Sequence, residues 1–271
     1  MHLKVKDINN IMEEYAPIEL KESFDNVGLM IGDERSEVTS ILVALDCTLE
    51  VIKEAKAKGC NLILTHHPPL FLKPASITTG TLTGKKVLEL IKNNINVYSS
   101  HTNLDSTEEG LNDIVTNILG FNEWSIISPS VNNHTSKDKA GIGRIVQLKE
   151  PMLLKDLCDH VKEKLEAASI RYCGEDNKII EKLAIINGSG EDFFEASRKN
   201  KVDCIITGDT TYHYVSDINE LGIAVIDGGH FETEWPAMKI VAKNLEVKLT
   251  QLGFENKVYI SESCRSPYKF R

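Results

Sequence analysis

The sequence predicts an α/β protein of two related α/β lobes with largely parallel strands. Two observations carry this. Apolar runs of strand length alternate with segments of helical spacing in the order β-α-β-α-β, once in each half of the chain. Helical crossovers join parallel strands, so that order implies parallel pairing. The polar residues at the strand ends also fall in matching places. Leu64-Thr65-His66-His67 stands where Ile206-Thr207-Gly208-Asp209 stands, and His101-xxx-Asp105 stands where His230-xxx-Glu234 stands. This is the pattern of a degenerate internal duplication, clearer in layout than in residue identity. The predicted division is 1–127 for the first lobe and 128–271 for the second, with the C-terminal segment 237–271 free to pack back on the first.

In the first half, Val5, Ile8, Ile11, Met12 and Tyr15 have helical spacing. Ala16-Pro17 ends that helix, because a residue before proline is pushed out of the helical region. Phe24 to Gly32 is a turn rich in Asp, Asn and Gly that leads into a short strand. Ser40 to Asp46 reads as a buried strand around the apolar run Ile41 to Leu45. Thr48 caps a helix over 49–58 and Gly59 stops it. The strand 61–65 runs into His66-His67 and is ended by Pro68-Pro69, which cannot donate to a ladder. A loop over 71–84, a helix over 85–93 and a strand over 96–99 complete this half.

Ser128 to Lys139 is polar and reads as a linker or long surface loop. A strand over 141–148 and an amphipathic helix over 153–168 follow. The repeated pattern then resumes: strand 182–187, a tight turn at Gly188-Ser189-Gly190, helix 191–199, strand 203–209, helix 214–221 and strand 223–226. A helix over 237–247 and a terminal strand over 258–261 close the chain.

Composition narrows the function classes. Of 271 residues, 41% are hydrophobic and 26% charged, the profile of a soluble globular protein. A net charge of −9 argues against a nucleic-acid surface, which needs clustered Lys and Arg. No apolar run approaches the roughly 18 residues of a membrane span, and the residues after Met1 form no apolar leader. None of the six cysteines pair as CxxC, and several sit in apolar runs as small hydrophobes. A reduced cytoplasm is the predicted compartment.

Six side chains at strand ends form a candidate metal site: His66, His67, His101, Asp105, His230 and Glu234. Ligands of open α/β sheets bind beyond the carboxyl ends of the strands, and all six lie there. The predicted site therefore sits at strand C-terminal ends between the lobes. His101 and Asp105 are four apart, as are His230 and Glu234. Such pairs meet only if the chain turns helically right after the strand. His66 and His67 would point to opposite faces of an ideal strand, so they converge only where the strand breaks. Four His and two carboxylates, with no Cys beside them, suit two divalent ions such as Zn, Fe or Mn rather than a structural zinc knot. A lone His at a strand end is more often a hydrogen-bonded surface residue. The doublet and the two His-xxx-acid pairs at matching positions lift the metal reading above that one. His213 is a candidate proton shuttle, with a plain surface histidine as its rival.

Specific motifs carry a family resemblance. Phe24-Asp25-Asn26-Val27-Gly28-Leu29 resembles a WDNxGL motif, with Phe where Trp is usual. Thr65-His66-His67-Pro68 resembles a double-histidine motif, and His101-Thr102-Asn103-Leu104-Asp105 an HxNxD motif. Gly208-Asp209 with Tyr212-His213, and Gly229-His230-Phe231-Glu232-Thr233-Glu234, resemble the GD/YH and GHxxTE segments. Together these are similar to the Nif-three-like family of dinuclear-metal hexamers, also called GTP cyclohydrolase 1 type 2. The resemblance implies that the six residues named above are metal ligands, with two divalent ions per chain. It also implies a toroidal homohexamer with its metal sites facing an inner cavity. The implied activity is a metal-dependent hydrolase in which metal-bound hydroxide opens the ring of a purine nucleotide. The alternative is a metal-binding, ring-shaped scaffold or protein-interaction module without cyclohydrolase activity.

Overall fold

The computed structural model describes residues 2–130 and 140–271. Residues 131–139, most of the predicted linker, lie outside the described residues. The chain forms two compact units. One is Met1–Leu104 with Met238–Arg265, and the other is Asp105–Ala237 with Ser266–Arg271.

The first unit opens with α1 (Val5–Tyr15), which buries the predicted stripe Val5, Ile8, Ile11 and Met12. Strand β1 (Gly28–Ile31) follows the Asp-Asn turn. Strand β2 (Ile41–Ala44), helix α2 (Leu49–Lys58), strand β3 (Leu62–Thr65), helix α3 (Leu82–Lys92) and strand β4 (Asn96–Ser99) then alternate as expected. Thr48 Oγ1 accepts the Val51 N–H, and Gly59 ends α2 in the left-handed conformation. Helix α3 starts three residues before the predicted Lys85, because Thr81 Oγ1 caps it by accepting the Gly84 N–H. Every residue of β2, β3 and β4 is buried, as strands covered on both faces must be. A short helix α4 (Thr102–Ser106) begins just after β4 and ends beyond the unit boundary.

In the second unit lie α5 (Leu111–Ile118), β5 (Ser125–Pro129), β6 (Gly141–Leu153), α6 (Leu154–Lys164) and β7 (Arg171–Cys173). Strand β8 (Ile179–Ser189) leads through a 3-10 turn to α7 (Phe194–Lys199). Strand β9 (Cys204–Gly208), helix α8 (Tyr212–Glu220) and strand β10 (Ala224–Asp227) follow. Helix α9 (His230–Gln251) starts in this unit, and its residues from Met238 belong to the first. The sheet order is β5-β6-β8-β9-β10-β7, with β8, β9 and β10 parallel and the others antiparallel. Alternate residues supply two cores. Leu183, Ile185, Ile206 and Ile226 pack with Leu157 and Val161 of α6, while Ala184, Ile186, Ile205 and Val225 pack with Phe194 and Ile218.

The sheet of the first unit has the order β1-β4-β3-β2-β11, where β11 is Val258–Ile260. Only the β1–β4 pair is antiparallel. Just after β11 the chain is tied to α2. Glu54 accepts hydrogen bonds from Ser261 Oγ at 2.6 Å and from the Glu262 and Ser263 N–H groups at 2.9 Å each, and pairs with Lys58. Burial opposes the Glu54 charge, but these bonds outweigh it and bring its pKa down to about 2 from 4.5. A depressed carboxyl pKa gives stability that is present above the unfolded value and lost as pH falls through the folded one. Glu54→Gln is therefore expected to cost about 1.5–3 kcal/mol at pH 7. The gap from the parent should shrink in urea unfolding repeated near pH 3. A constant gap would show that the charge is not what anchors the segment.

All six cysteines are free, and five of them are buried. Burial pushes the Cys47 thiol up to about 12. Among the described residues no helix is long and apolar enough to cross a membrane.

Candidate metal centre

In the first unit, β3 ends at Thr65, one residue before the histidine doublet. The break lets both rings face one side of the chain, with centroids 5.1 Å apart. His101 lies between β4 and α4, with its ring 5.0 Å from His66 and 5.6 Å from His67. One ring nitrogen from each of the three lies within 4.8 Å of the others. His66 is fully buried, and His67 and His101 are half-buried.

Each of these rings has an oxygen partner for Nδ1. His66 Nδ1 is 2.9 Å from the Ser100 carbonyl, His67 Nδ1 2.9 Å from Asp46 Oδ1, and His101 Nδ1 2.9 Å from Asp25 Oδ1. An Nδ1–H donated to oxygen sets the tautomer that offers Nε2 to a metal, which is how ligating histidines are usually held. Asp25 is itself fixed, because Thr102 donates its N–H and hydroxyl to Asp25 Oδ2 at 3.0 and 2.5 Å. Burial opposes the Asp25 charge, yet the bonds from His101 and Thr102 hold its carboxyl well below the usual carboxylate range.

The second unit holds the other three predicted residues. Helix α9 begins at His230, directly after β10, so His230 and Glu234 stand one turn apart. His230 Nε2 lies 3.0 Å from Glu234 Oε2, and His230 Nδ1 lies 3.4 Å from Asp209 Oδ2. Asp209 takes the left-handed backbone conformation, φ 55°. Asn187 links the two carboxylates: its Nδ2 donates to Asp105 Oδ1 at 2.7 Å and approaches Glu234 Oε1 at 3.4 Å. Two glycines make room here. A Cβ on Gly188 would stand 2.1 Å from Glu234 Oε1, and one on Gly208 would stand 2.6 Å from the His230 backbone nitrogen.

The donor set fits divalent ions. Three imidazoles converge in one unit, and a fourth stands beside a buried carboxylate in the other. Nitrogen and carboxylate donors of this kind suit Zn, Fe or Mn. His213 lies apart from these clusters on the exposed first turn of α8, edge-on to Tyr212 at 5.4 Å.

The model of the Duf34/NIF3 (NGG1p interacting factor 3) family matches residues 3–267. The chain belongs to the Duf34/NIF3 family. A Clostridium acetobutylicum protein named GTP cyclohydrolase 1 type 2 homolog is 57% identical over 271 residues, covering 100% of both chains. A Clostridium perfringens protein of the same name is 49% identical over 99% of this chain and 100% of its own. The crystal structure of a Staphylococcus aureus hypothetical protein superposes with a TM-score of 0.91 at 29% identity, covering 100% of both chains. A Bacillus cereus protein related to NIF3 has the same fold, with a TM-score of 0.92 at 23% identity over 100% of this chain and 99% of its own.

Sequence reasoning on this NIF3 chain missed the residues that hold the candidate site's side chains. Asp46 was findable, since it closes the apolar run 41–45 as His66 closes 62–65. Asp25 and Asp209 lie inside quoted motifs without an assigned role. Asn187 carries no local signal. The role of Asp25 is testable. Asp25→Asn is expected to lower divalent-metal affinity about 10–100-fold, measured by competition with a chromogenic chelator. Unchanged affinity would remove Asp25 from the support of His101.

Proposed function

We propose that His66, His67, His101, Asp105, His230 and Glu234 serve one dinuclear centre, and that the protein is a hydrolase of purine nucleotides of the GTP cyclohydrolase 1 type 2 kind. The observation that supports this reading is the shared posture of His66, His67 and His101. Each has Nδ1 2.9 Å from an oxygen, so Nε2 is the atom offered for coordination, while His230 stands with Nε2 3.0 Å from the Glu234 carboxylate. The names of the Clostridium relatives supply the substrate class.

The six residues would hold divalent ions, which when bound would supply an acidified water and Lewis-acid polarisation. The chain's own residues bind and orient. Asp105 and Glu234 supply negative charge, and Asn187 keeps both carboxylates in register. His213, exposed on the first turn of α8, carries a proton between site and solvent. The working form is a toroidal homohexamer in the cytoplasm, with lobes 1–127 and 128–271 each contributing donors.

The test is formate release from GTP by protein loaded with zinc, iron or manganese, alongside a panel of other nucleotides. Formate release that follows metal loading supports the reading. No hydrolysis of any nucleotide under any of the three metals would leave a metal-binding ring whose partners are proteins.

A further inference from the structure

The second unit contains a cavity of about 360 Å³, within the range of small-ligand pockets. One wall is a single face of α8, formed by Tyr212, Val215, Ser216 and Asn219. Strand β7 lines the cavity with Arg171, Tyr172 and Cys173, and β10 with Val225 and Asp227.

The walls are fixed before any ligand arrives. Buried Asp227 accepts from Thr210 N–H at 3.1 Å, Thr210 Oγ1 at 2.7 Å, Gly229 N–H at 3.0 Å and Arg171 Nη2 at 2.5 Å. Arg171 is thereby pinned through one nitrogen while its side chain stays 72% exposed. Tyr172 is pinned through its hydroxyl, which donates to Asp176 at 2.8 Å. Tyr212 is 80% exposed and Tyr172 47%, and both line the cavity.

Charge selects the ligand. Among the described residues, Arg171 and Asp227 are the only charged ones lining the cavity, and they pair with each other. A phosphate would meet no uncompensated cation there. A neutral planar ring would meet the Tyr212 and Tyr172 rings, the partly buried Val215, and edge partners in Ser216, Asn219 and Arg171. The cavity also adjoins the predicted metal residues of the same unit. Thr210 follows Asp209, the partner of His230, and Asp227 lies three residues before His230.

We propose that this cavity is a subsite for the heteroaromatic ring of a nucleobase, bound along the tyrosines while any phosphates lie outside it. Taking a purine as the natural ring rests on the hydrolase reading above, but the binding site itself does not.

The experiment uses full-length, metal-free protein, so turnover plays no part. Saturation-transfer NMR with guanosine, adenosine and uridine is run beside phosphorus line-broadening with pyrophosphate. The nucleosides are expected to bind, purines more tightly, and pyrophosphate not to bind. Tyr212→Ala and Asn219→Ala, both at exposed positions of α8, are expected to weaken nucleoside binding about tenfold, the scale of one lost base–aromatic stack. Melting curves check that both variants remain folded. The proposal is overturned if no nucleoside binds, if pyrophosphate binds as well as the nucleosides, or if folded variants bind like the parent. Any of those results leaves the metal and formate tests standing, and failure of formate release leaves this binding test standing.

Discussion

Glu234→Gln is expected to abolish formate release and to lower the metal content by about one ion per chain, with the melting temperature kept. Gln nearly preserves the volume of Glu and removes its charge. The carboxylate is 3% exposed and sits 3.0 Å from His230 Nε2, beside the candidate site's histidine rather than among apolar side chains. A second route to the same loss leaves the charge in place. Gly188→Ala would put a methyl group 2.1 Å from Glu234 Oε1 at a residue with φ +58°, so the carboxylate must move. Both variants are to be compared with the parent for formate release, metal content and melting. A Glu234→Gln protein that keeps both its ions and its rate would exclude the residue from the centre.

Arg144→Met should produce the largest loss of stability, about 3–5 kcal/mol, because it strands a buried charge. Arg144 is completely buried. It pairs with Asp113, donates to the Gly141 and Gly143 carbonyls at 2.8 and 2.9 Å, and stacks over Trp124 at 4.5 Å. Burial pushes its pKa down, and Asp113 foremost, with Asp105 and Glu108, pulls it part of the way back. Met fills the space and leaves the Asp113 charge and both carbonyls without that cation. Adding Asp113→Leu removes the stranded charge and is expected to recover part of the loss. Urea unfolding of the two variants tests this. A loss below about 1 kcal/mol for Arg144→Met would mean the pair is not a stability element.

The elements that sequence reading recovered are those with local signals. Helix α1 follows its apolar stripe, α2 its Thr48 cap and Gly59 stop, and β2, β3 and β4 their unbroken apolar runs. Those it missed lack such signals. Helix α5 buries Asn112, Asp113 and Thr116, and these polar positions interrupt the apolar period. Their partners are far away in the chain: Asn112 meets Asn187, and Asp113 meets Arg144. Strands β5 and β7 are short and lie at the two edges of the sheet. Helix α9 was expected to start at Ala237, after Pro236, but it starts at His230 and carries Pro236 inside it. A proline costs a helix one N–H bond and strains it locally. Here a helix of 22 residues continues through it.

The same contrast holds at the candidate site. The doublet His66-His67 and the His-xxx-acid pairs are visible because each lies within one short stretch. The groups that orient them are not. Asp46 is 21 residues from His67, and Asn187 is 82 from Asp105. Such pairings exist only once the sheets have formed.

Counting metal ions tests the central claim most directly. The protein is stripped, reconstituted with zinc, iron or manganese, freed of excess and measured by elemental mass spectrometry. The dinuclear reading expects close to two ions per chain in the parent and a clear fall in both His66→Ala and His230→Ala. A parent that holds one ion or none, or full occupancy in both variants, would contradict it.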